Sequence, residues 1–152
     1  MSASNINLLD LVPGTSSVSN AVDISIGTNN AFGYTLKASV GSAENASRNM
    51  THTNNVNTFT GIAVNANQAS LTTDNTWGYS TSVDSGSTWS NYSGLPLYTA
   101  ADSKTIVSKN APSSDVVKFR VGAKAASSQL AGDYSNKITF IIVSNIDPGD
   151  VP

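Results

Sequence analysis

The chain has 152 residues, a formal net charge of −2 and a sequence pI near 5.0. That length suits one domain with a sizeable core, while the scattered lysines lay no basic stripe along a phosphate backbone, so nucleic acid is not an expected partner. Cysteine is absent, which excludes disulfides, thiolate zinc sites and thiol nucleophiles, and no apolar run approaches the ~20 residues of a membrane-spanning helix, so no membrane insertion is expected.

In chain order, residues 6–12, "INLLDLV", gather Ile6, Leu8, Leu9, Leu11 and Val12 ahead of the break at "PGTS". The stretch lacks the charged start of a signal peptide. It is expected to pair as an edge strand, on its own domain or by strand exchange on a second copy. "AVDISIG" then places Val22, Ile24 and Ile26 on one face against Asp23 and Ser25, the alternation of a half-buried strand. After "TNN", the stretch "AFGYTLKASV" sets Phe32, Tyr34, Leu36, Ala38 and Val40 on one face and Lys37 on the other. The two segments read as a hairpin.

Weaker strands are read at "GIAVNA", "TWGYSTS", "TWSNY" and "KTIVS". "DVVKFRVGA" turns Val117, Phe119 and Val121 inward and Lys118 and Arg120 outward. "YSNKITFIIV" has Ile138, Phe140 and Ile142 on one face with Ile141 and Val143 on the other, the pattern of a central strand. About eight or nine strands in one domain predict an antiparallel β-sandwich. Two polar stretches, 41–58 and 93–114, are long enough to carry function. The domain is placed at 1–146, with 147–152 as a linker or C-terminal tail.

Residues 80–89, "STSVDSGSTW", contain Ser82, Asp84, Gly86, Thr88 and Trp89 at the spacing that resembles the Asp-box of bacterial and viral sialidases. Such enzymes repeat the box in several propeller blades and need an arginine clamp and paired acids. Here the motif occurs once, the arginines are Arg48 and Arg120, and the one glutamate is Glu44. The box is therefore read as a rigid hairpin tip: Asp84 accepts backbone hydrogen bonds, Gly86 supplies a positive φ and Trp89 covers the base.

The order "TNNAFGYTL", "TWGYS", "AGDYSNKITFIIVSN" resembles a family of β-rich surface domains of Gram-positive and candidate-phylum bacteria, over about residues 21–145. The resemblance implies an Ig-like, extracellular, non-catalytic module of cell-wall proteins, adhesins and filament subunits. The terminal phrase is also similar to that of WxL wall-binding domains, but the paired W-x-L signature is missing. Composition agrees with a surface setting. Serine, threonine and asparagine exceed a third of the chain while charged residues make up 12%.

Other chemistry is thinly represented. His52 is the one histidine, too isolated for a Ser-His-Asp triad. Asp102, Asp147 and Asp150 show no EF-hand or repeat-type calcium spacing, so no metal or other cofactor is expected. Lys37 and Lys137 are the lysines considered for a Lys-Asn isopeptide cross-link with Glu44 or an aspartate. Trp77, Tyr79 and Tyr134 are read as core or strand-entry packing. The expectation is a non-enzymatic structural or adhesive domain that partners itself or a host glycan or protein. The alternative is a carbohydrate-binding module or an accessory domain of a glycan-processing enzyme, with Trp89, Tyr92 and Tyr98 as ligand-contact aromatics.

Overall fold

The computed structural model describes residues 6, 8, 11–43, 46–98 and 103–147. These residues form ten strands and no helix: β1 (Ser16–Val18), β2 (Val22–Thr28), β3 (Tyr34–Val40), β4 (Met50–His52), β5 (Thr58–Gly61), β6 (Thr76–Ser82), β7 (Lys104–Lys109), β8 (Ser113–Lys124), β9 (Tyr134–Ser135) and β10 (Ile138–Ser144). Among them there is accordingly no helix long and apolar enough to cross a membrane.

The larger sheet is built on β8. Its alternation buries Val117, Phe119, Val121 and Ala123 and leaves Lys118 and Arg120 on the opposite face, as the sequence predicts. β2 runs along one flank from Ser113 to Phe119 and β1 continues that flank from Gly122 to Lys124. β6 occupies the other flank, and β5, β4 and β9 follow it. Between β1 and β2 the chain carries one residue more than β8 does. Ser19 absorbs it: its N–H donates to Val121 O (2.8 Å) and its Oγ accepts from Val121 N (2.9 Å), so a buried hydroxyl stands in for a missing carbonyl.

The second sheet is antiparallel, in the order β10-β3-β7. Tyr34, Leu36, Ala38 and Val40 of β3 are buried against the larger sheet. The sheets meet at Phe119, which stacks on Tyr79 (ring centroids 5.2 Å apart) and receives the Phe140 ring edge-on from β10 (5.0 Å). Ile6, Leu8 and Leu11 pack against the same cluster, so these three side chains of the N-terminal stretch are partly covered by their own chain, while Val12 is exposed.

A third layer lies on the outer face of the larger sheet. Gly78 and Gly122 face each other across β6 and β8. A Cβ on Gly78 would lie 2.8 Å from Ile62, and one on Gly122 would lie 2.7 Å from the Tyr92 ring. The glycine pair therefore seats a small cluster of Ile62, Leu71 and Tyr92. Ile62 and Leu71 belong to the crossover that the parallel β5–β6 pairing requires.

Several expectations are corrected. β2 and β3 are not a hairpin: "TNN" carries the chain from one sheet to the other, and each strand pairs elsewhere. Phe32 precedes β3 and is exposed. β10 is an edge strand paired with β3, not a central one, and Ile142 and Val143 remain 39% and 44% exposed. "TWSNY" forms bridges and bends instead of a strand, and Ile6, Leu8, Leu11 and Val12 lie outside any strand. Leu9, Glu44, Asp102, Asp150 and residues 148–152 are outside the described residues.

Truncating Phe119 to Ala removes the ring that both sheets touch, and is expected to cost about 3–5 kcal/mol of stability. Val116→Ala, on an exposed position of the same strand, is expected to stay within about 0.5 kcal/mol. Urea melts of the two variants check the assignment of inner and outer faces.

Candidate functional site

After β6 the chain turns through the Asp84 motif and comes back beside the same strand. Ser90 N donates to Thr81 O (2.8 Å), and Tyr79 and Ser93 exchange two backbone hydrogen bonds. At the tip, Asp84 Oδ1 accepts from Ser82 Oγ (2.6 Å), both carboxylate oxygens accept from Thr88 N (3.0 Å each), and Oδ2 accepts from Thr88 Oγ1. Gly86 N donates to Ser82 Oγ (2.9 Å). Gly86 sits at φ 92° and Ser85 at φ 62°. The five motif residues thus come together, but the carboxylate is consumed by its own turn. Ser82 first, then Thr88, hold its pKa well below the usual carboxylate range.

Trp89 does not cover the hairpin base alone. It lies over the outer face of β8 with the Arg120 guanidinium carbon 3.8 Å from its ring centre. Tyr92 is 8% exposed and packs in the outer cluster. Tyr98 is 40% exposed on the other sheet. Its N–H donates to Val40 O at the end of β3. The three aromatic residues named from sequence therefore form no common row. Trp77 and Tyr79 are buried, with Trp77 Nε1 donating to Arg48 O (2.8 Å). Burial pushes the Tyr79 phenol up to about 12.

His52 is buried beside Tyr134, their ring centroids 4.9 Å apart. Its Nδ1 accepts from Asn54 N (3.0 Å), which places the proton on Nε2, 3.3 Å from Ala131 O. Both ring nitrogens face backbone groups, which is a structural use of the ring. Gly132, at φ 138°, passes so close to the imidazole that a Cβ there would collide with Nε2. Tyr134 donates its hydroxyl to Leu130 O (2.8 Å) and packs its ring edge against Phe59.

Among the described residues no group of three metal-ligating side chains assembles. Lys37 and Lys137 lie off the core. The lysine that does turn inward is Lys104, opposite Ala38 at the start of β7. Its Nζ donates to Val64 O (2.5 Å) and Ser93 Oγ (2.6 Å), 5.8 Å from the Tyr79 ring centre, and burial lowers its pKa. Sequence alternation misses this residue because a register shift between Leu36 and Lys37 resets the phase of β7.

Irregular backbone is fastened by neutral amides as well as by charged side chains. Asn136 Nδ2 donates to Ser47 O and Asn49 O, Asn145 Nδ2 to Phe32 O and Lys109 O, and Asn30 Nδ2 to Gly33 O and Asn145 O. Arg48 adds bonds to Leu95 O, Gly61 O and Ile62 O. Comparison with protein-family models, with curated proteins and with solved structures finds no match.

The depressed Asp84 pKa fixes a sign. The folded value lies below the unfolded one, so the stabilisation is present above about pH 4 and is lost as the pH falls below that. Asp84→Asn is expected to be less stable than the parent at pH 7, with the difference shrinking below about pH 4. Denaturant melts at pH 7, 4 and 2.5 measure it, and a constant difference across that range would refute the role given to the carboxylate.

Proposed function

We propose that this chain is a non-catalytic structural or adhesive module of an extracellular surface protein or filament subunit, folded as an Ig-like sandwich. The observation that carries the reading is the fastening of loops by neutral amides, in which Asn30, Asn136 and Asn145 bind carbonyls distant in sequence. Such bonds hold irregular backbone in place without charge, and so keep their strength across salt and pH. That suits a module exposed to an uncontrolled medium. The Tyr134 hydroxyl bond to a carbonyl four residues upstream resembles the bond made in a tyrosine corner, one local feature of Ig-like sandwiches. The Asp84 turn supports a structural role, since its carboxylate is satisfied locally.

Two measurements test this. Pure protein is expected to leave fluorogenic sialosides and other glycosides intact, and turnover abolished by Asp84→Ala would overturn the reading. In light scattering the chain is expected as a monomer near 15.7 kDa. Deletion of residues 1–12 is expected to destabilise it, because Ile6, Leu8 and Leu11 leave the core cluster. Concentration-dependent polymers that vanish on this deletion would replace packing within one chain by strand exchange between copies.

A further inference from the structure

The end of β3 opens onto a depression of about 250 Å³ lined by Ser42, Ala43, Tyr98, Lys137 and Thr139. Its walls are set by backbone pairing. Tyr98 N donates to Val40 O and Gly41 N donates to Lys137 O (2.8 Å each), so Tyr98 and Lys137 stand one strand spacing to either side of β3. That puts their backbones about 10 Å apart. The gap has room for one sugar ring at van der Waals distance, about 3.5–4 Å, from each wall.

The floor is shallow in side chains and rich in polar groups. Gly41 has φ 86° and contributes only backbone. Ser39 is fully buried and lies directly across from Thr139, on the same face of the sheet. Its Oγ has no hydrogen-bond partner among the described residues and is sealed from solvent, so it lies beneath the floor and out of a ligand's reach. Lys37 projects from this face as well, and among the described residues no carboxylate lines the depression.

The geometry points to a binding site for a single acidic pyranose, a sugar carrying a carboxylate, at the terminal position of a glycan. The exposed Tyr98 ring stacks on the apolar face of the sugar, as aromatic side chains do in sugar sites. The Lys137 ammonium pairs with the carboxylate, and the Thr139 and Ser42 hydroxyls of the lining serve the ring hydroxyls. A bare phosphate or carboxylate would leave the Tyr98 ring unused, and a neutral sugar would leave the ammonium unmatched. The volume falls below the roughly 300–1,000 Å³ of pockets that take drug-sized ligands, which matches one ring with the rest of the glycan in solvent. This inference rests on the adhesive form of the proposed function and names its ligand class.

The test is titration of the whole chain with methyl glucuronide and with methyl glucoside, followed by amide NMR. The glucuronide is expected to shift the amides of Gly41, Ser42, Tyr98, Lys137 and Thr139, and the glucoside to bind at least about tenfold more weakly. Lys137→Gln should bring the glucuronide down to the level of the glucoside, and Tyr98→Ala should abolish shifts with both. Both side chains are on the surface, so melting curves of the variants should match the parent and separate lost binding from lost folding. Equal binding of the two sugars, shifts confined to other residues, or no shifts with either would overturn the inference while leaving a structural module intact. Hydrolysis of the glycosidic bond would instead overturn the non-catalytic reading itself.

Discussion

The contact on which the fold depends is the one around Phe119. Among the described residues β8 is the one strand that pairs with three others along its length, and Phe119 lies at the point where β2 and β6 both reach it. Its ring stacks on Tyr79 within the sheet and meets Phe140 from the opposite sheet, so one side chain fixes the lateral position of β6 and the distance between layers. Tyr79 is in turn approached by Lys104 from β7, which closes a chain of contacts through both sheets. Dispersion and ring-edge electrostatics at this junction give the sheets a common centre, and the polar loops are arranged around it.

Much of the strand content is legible in the sequence, since burial on one face imposes period two. The inward sets on β2, β3 and β8 follow from counting alternate residues, as does the whole of β6. Pairing is another matter. Alternation says which face is buried and nothing about which strand lies alongside, so β2 and β3, adjacent in sequence and both half-apolar, read as a hairpin although "TNN" carries the chain between sheets. β10 fails for a related reason. Apolar residues on both faces of a strand signal cover on both, yet Ile142 and Val143 stand exposed at a sheet edge.

The local chemistry of the Asp84 turn is also legible, because all of its partners fall within seven residues of sequence. The seat for Tyr92 and Ile62 is not, because it depends on two glycines, Gly78 and Gly122, becoming neighbours through β6–β8 pairing. Either glycine alone reads as a weak point in a strand. Together they are a shelf. The depression beside Tyr98 depends likewise on β3 lying between Tyr98 and Lys137, residues far apart in the chain, so the aromatic can be named from sequence but its companions cannot.

The placement of β1 and β2 bears on the order of assembly. Ser16 pairs with Lys124 and Val22 with Phe119, so the first strands of the domain find their partner only near the far end of the chain. During synthesis these apolar residues wait unpaired until β8 emerges, and closing so long a loop precedes any gain from the pairing. Folding should therefore be slow for a domain of this size, in the millisecond-to-second range of high contact-order β proteins. The Ser19 bulge then acts as a register key, since a slip by one residue would strand its hydroxyl away from Val121 and turn the apolar side chains of β2 outward.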